Sequence, residues 1–555
     1  MNKKRIDFVT LSPLLLLALL PVGSLLYPIF TRTAAHPEIA FHRYFSIPLI
    51  GFGFGLFFFL GIIRKGWELP SILSNFLKER LTTIVVVATS IFILFFSGLS
   101  VLRYITFHTT INDLGVYDNK VWRIAEELPS VRGIIISLTG HFQPILIVHA
   151  ILYKIYASPL ILLILQVITL ASGVIPLYLL AKNFLKESIG ALIIILLYLL
   201  YPAIEFNSIV DFHPDHFYIP MVLWAFYFAH KRKYITSIIM IGIGGFAKEP
   251  LLLGASFFGI YLTINHKRFF TGLISALFFL LLFVVIFFYI QPALNYLPGE
   301  EKVPLLEDAS YSYIFNFFNS SRLFFEGLFK GVMRKLLFIY FLLFPFLFLP
   351  FFRWKELMPA IPPITIQLLS TTALHYSPES QYTAGIISPI IFAFLAFVNK
   401  IQKNFGERYV NAMLIMVLIM MLTANIVRSP SPLSINFWSS KWSEIWNYTN
   451  YTDGKHEEML REVLHIIPAD KKIVVMSQNN LNHRRLAHRY DFFAFPYHWE
   501  RVDYILLDST RPLMVGDKID REKYMEDLQK IKDSRVFQQI FDKDGIMLFK
   551  KMTNI

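Results

Sequence analysis

The chain has 555 residues, 55% of them hydrophobic and 16% charged. That much apolar surface exceeds what soluble cores bury, so the composition is that of a membrane protein. The net charge of +13 does not signal nucleic acid, because the Lys and Arg residues flank apolar runs instead of forming one patch, and the absence of cysteine excludes disulfides, thiolate chemistry and Cys-based metal sites.

The first residues, Met1-Asn2-Lys3-Lys4-Arg5, precede an apolar run too long for a signal peptide, which is expected to be a first membrane helix with a cytoplasmic start. A bilayer needs about 20 apolar residues per crossing. On that measure membrane helices are expected near 9–30, 45–63, 82–102, 159–181, 189–203, 215–230, 234–247, 250–264, 269–290, 331–352, 356–374, 382–398 and 409–427, about thirteen in all. The runs are unbroken and lack period-2 alternation, so helices and not a barrel are implied. With Met1 inside, every inner loop is basic: Arg64/Lys65/Lys78/Arg80, Lys182/Lys186, Lys231/Arg232/Lys233, Lys267/Arg268, Arg353/Lys355 and Lys400/Lys403/Arg408. The outer side then receives 31–44, the long loops 103–158 and 291–330, the turns at 204–214, Lys248-Glu249 and 375–381, and the tail 428–555. Within the first long loop, segment 143–157 is short and apolar, as expected of an interfacial or re-entrant helix.

The tail changes character. Strands are expected at Lys472–Ser477 and Asp503–Asp508, a hairpin over Phe537–Lys550 around Asp542-Lys543-Asp544-Gly545, and helices at 455–466 and 520–533. The expected fold is thus an α-helical polytopic membrane protein with a small C-terminal α/β extracytoplasmic domain. Its divisions are 1–81 (two additional N-terminal helices), 82–427 (the main membrane domain) and 428–555 (the outer domain). No Gly-rich phosphate loop opens a helix of the tail, which leaves nucleotide binding without support.

Four polar clusters fall on the outer side. The first is Asn112 to Asn119 with Asp113 and Asp118, followed by His141-Phe142-Gln143-Pro144. Taken alone, Asp113 reads equally well as a helix cap. The second is Asp211-Phe212-His213-Pro214-Asp215-His216, where Asp211 or His213 is a natural cap for the helix opened by Pro214. Its two carboxylates and two imidazoles also suit a divalent metal, although the spacing is no recognised zinc signature. The third is Lys248-Glu249-Pro250, and the fourth His375 to Tyr382 with Gln381. Arg322 and Lys330 add positive charge in loop 291–330. Converging at one membrane face, these groups would provide carboxylates for base chemistry and cations for an anionic group.

The order of these strings resembles a known family. Asn112–Asn119, His141–Leu146, Gln166 with Pro176-Leu177-Tyr178, Asp211-Phe212-His213-Pro214, Lys248-Glu249, His375 to Ala384 and the tail residues Ile467-Pro468, His488-Arg489, Phe495-Pro496 and Val502-Asp503-Tyr504 follow one another as in the prokaryotic multi-pass membrane family catalogued as domain of unknown function 2079. The resemblance covers roughly residues 100–510. That family is similar to the GT-C superfamily of membrane glycosyltransferases. The resemblance implies a GT-C-like fold and inverting sugar transfer from a polyprenyl-phosphate donor outside the cytoplasm. It also implies an acidic residue of the first outer loop as base or metal ligand, a role that falls on Asp113 with Asp118 second. The substrate-binding set is then His141, Asp211, His213, Lys248, Glu249, Arg322, His375, Gln381 and Tyr382. The chain departs from the pattern in its two additional N-terminal helices and in Pro250, where the family commonly has Asp. The competing reading is a transporter or flippase of lipid-linked sugars, whose marks would be ionisable residues at mid-membrane and an internal repeat. A third is a scaffold whose outer tail binds a partner.

Overall fold

A computed structural model describes residues 42–68, 70–185, 188–295, 320–438, 446–512 and 521–552. The expected helix at 9–30 and most of loop 291–330 lie outside the described residues. The protein is an α-helical polytopic membrane bundle with a small mixed-sheet domain at its C-terminal end.

Among the described residues six helices are long and apolar enough to cross a bilayer: Tyr44–Lys65, Leu81–Ile105, Pro159–Phe184, Phe269–Leu294, Gln381–Phe405 and Glu407–Val427. The pair Ile189–Leu199 and Pro202–Ile209 is long and apolar enough only when taken together, and it is bent by 46° where Pro202 opens the second piece. The other expected spans are shorter or broken. Tyr234–Gly245 and Leu251–Asn265 form a short antiparallel pair. The run 331–352 is helical only over Val332–Leu343, after which Pro345 and Pro350 punctuate two tight turns and Leu347 and Phe348 adopt positive φ. The run 356–374 keeps a helix at Ile361–Leu369 behind Pro359, Pro362 and Pro363. Hydropathy counts apolar residues, whereas these breaks are set by proline rings that remove amide donors.

Composition sorts the helices by depth. The apolar window of Gln381–Phe405 is 89% buried within the protein, against 28% for Leu81–Ile105 and Phe269–Leu294, so the first is the central helix and the other two face lipid. Small residues permit the close crossings that replace hydrophobic drive in a bilayer. Where Leu251–Asn265 meets Phe269–Val285, a Cβ on Gly272 would stand 2.6 Å from the Gly259 carbonyl oxygen, so only glycine lets those backbones touch.

In the C-terminal domain β1 (Val475–Ser477), β2 (Phe492–Ala494), β3 (Tyr504–Asp508), β4 (Phe537–Lys543) and β5 (Ile546–Lys551) form one sheet in the order β2-β1-β3-β5-β4. The first three strands are parallel, with Met476 opposite Phe493 and Ile505, while β5 runs antiparallel to β3 and β4. The expected hairpin is β4–β5, closed by Asp544-Gly545, and the expected helices are Lys455–Ile466 and Arg521–Asp533. Strand β2 went unanticipated, being three residues long and paired on one edge only.

The loop after Leu81–Ile105 fills the space between bundle and sheet. It holds Val116–Glu127, Val131–Leu138 and Leu146–Tyr153. The last occupies the expected interfacial segment and exposes Val148 and Ile151.

Candidate functional site

Asp113 stands on a short helical turn, Ile111–Gly115. The cap of that turn is Thr110, whose Oγ1 accepts from the Asp113 amide at 3.3 Å, so Asp113 is not the cap that its residue type suggests and its carboxylate is left for other partners. Asp113 Oδ1 lies 3.2 Å from His213 Nε2, and the Asp113 side chain remains 43% exposed. His213 Nδ1 is 2.9 Å from the Asp211 carbonyl oxygen, which can only accept. With Nδ1 donating there and Nε2 facing a carboxylate, the ring is set up as an imidazolium. Burial lowers the His213 pKa, but the Asp113 and Asp215 charges outweigh burial and Lys248, leaving it raised above the ordinary histidine value. Loss of hydration works to raise the Asp113 pKa, yet His213, the Thr110 hydroxyl and Lys248 hold it below the usual carboxylate range.

Asp211 is a strut. Its Oδ2 accepts from the Thr110 amide (2.6 Å) and hydroxyl (2.9 Å), and its Oδ1 lies 3.4 Å from Arg103. His213 takes the expected N-cap position of the turn at Pro214, but its side chain makes no capping bond, because it faces Asp113, while Asp211 holds Thr110. Gln166 completes the support: its Oε1 accepts from the His213 amide at 3.1 Å, and its Nε2 donates to the carbonyls of Asn207 and Val210.

Beside this network lies a small cleft of about 30 Å³, lined by Asp215, Lys248, Gln367, His375 and Tyr382 with Leu251 and Ile366. Lys248 Nζ is 3.6 Å from Asp215 Oδ1 and 5.1 Å from the Tyr382 ring centroid, a cation held against an aromatic face. The His375 ring packs edge-on to Tyr382 at 4.5 Å. Burial, with the Lys248 charge adding to it, pushes His375 down to about 4, so it is neutral at physiological pH. Gln381 is buried at the start of the segment that carries Tyr382. Behind the cleft Glu249 accepts from the Phe142 amide (3.1 Å) and pairs with His141 Nδ1 (2.8 Å), tying the short helix pair to the first loop. Burial raises the Glu249 pKa, and His141 and Lys248 overcome it to hold it low.

Two of the expected residues lie apart. Asp118 is fully buried, accepting from the Tyr153 hydroxyl at 2.8 Å and facing His488 Nε2 of the C-terminal domain at 2.9 Å, with Trp122 stacked on the His488 ring. Arg322 is exposed on the helix Ser321–Phe329. Among the described residues no three His, Asp or Glu side chains are grouped to hold a metal ion. Sequence reasoning missed Arg103, Thr110 and the role of Tyr117, whose ring packs edge-on to His213 at 5.3 Å. Arg103, an arginine in the last turn of a membrane helix, carried a readable signal, since such a charge is costly unless it is employed. Thr110 and Tyr117 carried none.

The model of the family described as "Predicted membrane protein (DUF2079)" matches residues 103–548. The chain belongs to that family. The matched stretch holds the Asp113 loop, the cleft and the five-stranded sheet. None of the curated proteins matches. Similar solved structures include the crystal structure of ArnT from Cupriavidus metallidurans bound to undecaprenyl phosphate (TM-score 0.43, 8% identity, 84% of this chain and 97% of that one). The same protein in its apo state matches with TM-score 0.41 and 10% identity, over 81% of this chain and 95% of that one.

Proposed function

We propose that this membrane protein is a glycosyltransferase that moves a sugar from a polyprenyl-phosphate donor to an acceptor hydroxyl, with Asp113 as general base. The observation that carries the reading is the pairing of a half-exposed, ionised Asp113, braced by His213, with an adjoining cleft whose cation is Lys248. As the acceptor oxygen attacks the anomeric carbon, its proton passes to Asp113. The bond from that carbon to the phosphate oxygen breaks, its electron pair leaves with the polyprenyl phosphate, and the anomeric configuration inverts. Lys248 faces the charge growing on the departing phosphate, backed by Tyr382 in a site walled by Leu251 and Ile366. Buried Glu249, paired with His141, suits a role in fixing Lys248, and Asp211 a role in fixing the Asp113 loop.

The site is assigned to the outer side. Supporting this, the basic loops meet one another: Arg408 Nε donates to the Ile62 carbonyl (2.7 Å), Lys231 to Asn183 (2.8 Å), and Arg268 packs over Tyr234. They gather at loop ends that the positive-inside rule assigns to the cytoplasm.

The test is Asp113→Asn in purified protein, which removes the base and keeps the shape. Transfer from polyprenyl-phosphate sugar should fall to background with thermal stability within about 1 kcal/mol of the parent; full retained transfer would refute the assignment. One observation favours the transporter reading. Glu205 is buried in the bent pair, and its Oε2 has no hydrogen-bond partner among the described residues. Movement of labelled lipid-linked sugar across protein-containing vesicles without covalent transfer would select that reading.

A further inference from the structure

We propose that Asn479, in the loop after β1, is the positioning residue for Asp113, closing from the C-terminal domain the turn that carries it. The catalytic importance of Asp113 rests on the reading above; the positioning does not. A helical turn leaves its first amides without internal partners. Here the Asp113 amide is met by Thr110, but the two before it are met by one residue from the sheet domain. The Ile111 amide donates to the Asn479 carbonyl oxygen at 2.6 Å, and the Asn112 amide to Asn479 Oδ1 at 3.1 Å. Asn479 is buried, so these bonds are shielded from water.

Its neighbours hold the same segment. Asn482 Nδ2 lies 3.4 Å from Thr109 Oγ1, and a Cβ on Gly115 would stand 2.9 Å from Asn482 Oδ1, so the turn and that loop pack closely here. Further along, the Arg484 amide donates to the Tyr104 hydroxyl (3.1 Å), and Asn119 Nδ2 donates to the carbonyls of Ala487 (2.6 Å) and Arg489 (2.7 Å). These flanking contacts dock the domain, and Asn479 alone among them bonds the amides immediately before Asp113. The residue type is also informative. Asparagine supplies an acceptor without charge, whereas aspartate would add, beside Asp211, a further carboxylate near Asp113 and raise its pKa.

The experiment uses the full chain in lipid nanodiscs, with hydrogen exchange of the 108–118 segment and carbodiimide labelling of Asp113 across pH as probes; neither needs a substrate. Asn479→Ala should speed exchange at 108–118 by roughly five- to tenfold, the loss of one cap, while β1 and β3 keep their protection. Asn479→Asp should restore protection and move the labelling midpoint of Asp113 to higher pH. Unchanged exchange in Asn479→Ala overturns the proposal, as does loss of protection throughout the sheet, which would make Asn479 a folding residue. An unmoved midpoint in Asn479→Asp overturns it too. Absence of transferase activity in the parent would end the glycosyltransferase reading and leave these outcomes intact.

Discussion

Replacing Asp118 tests whether two carboxylates on one loop have separate work. Asp118 Oδ1 takes both the Tyr153 hydroxyl and His488 Nε2, and no part of the residue reaches solvent. Hydrogen bonds to a charged acceptor are worth about 1.5–3 kcal/mol each. Asp118→Ala removes two of them and leaves a buried phenol and a partly exposed imidazole without that acceptor, a loss of about 2–5 kcal/mol. Asp118→Asn keeps an oxygen in place and should lose only about 1–2 kcal/mol. The loss falls on docking of the C-terminal domain, since His488 also stacks on Trp122 and Lys471 bridges to Glu126 at 2.9 Å beside them. Hydrogen exchange of 116–127 and 484–490 should therefore accelerate in Asp118→Ala and much less in Asp118→Asn, with transfer retained in the latter. Normal protection at both segments together with abolished transfer in Asp118→Asn would show that Asp118 acts in the chemistry, and would refute the structural assignment.

Lys248→Gln keeps a polar side chain, one atom shorter, and loses its charge; on the proposed reading, binding of a polyprenyl phosphate, measured by titration in nanodiscs, should weaken about tenfold or more. Undiminished binding would remove Lys248 from the phosphate site. In the C-terminal domain His456 sits between Asp508 (2.9 Å) and Asp544 (2.8 Å). Burial lowers its pKa and hydrogen bonds to the two carboxylates raise it, with the net direction upward from 6.5 against an opposing Arg511. A raised histidine pKa stabilises the fold below the unfolded value, and that contribution is lost as pH climbs through the folded value. His456→Gln should thus melt earlier than the parent at pH 5 to 6, and the difference should close on the alkaline side of pH 6.5; a constant gap across pH would exclude His456 as its source.

Long apolar runs without proline, such as Leu81–Ile105, were legible as membrane helices because burial of one continuous surface in lipid needs nothing beyond length. The runs 331–352 and 356–374 were not, since their hydropathy is the same whether Pro345 or Pro363 lies in a straight helix or at a break. In the site, residue type brought forward Asp113, His213 and Lys248, whereas the ranking of Asp113 above Asp118 came only from the family resemblance. Their separation depends on what each turn of helix faces. For Asp118 that is His488, some 370 residues away in sequence. Thr110 is silent for the same reason: a threonine before an apolar residue is commonplace, and its grip on Asp211 requires a partner from another helix pair.

The remote closure of the Asp113 turn also sets a schedule. Asn112 and its partner Asn479 are 367 positions apart. At a synthesis rate of about 5–20 residues per second, the loop waits roughly 20–70 s between emerging and being closed. During that interval the membrane helices can insert and pack while the Asp113 turn still lacks its cap. On the proposed reading the Asp113 site is therefore completed only once Asn479 has been made, although its base is made early, so competence to act follows membrane insertion of the first loop instead of accompanying it.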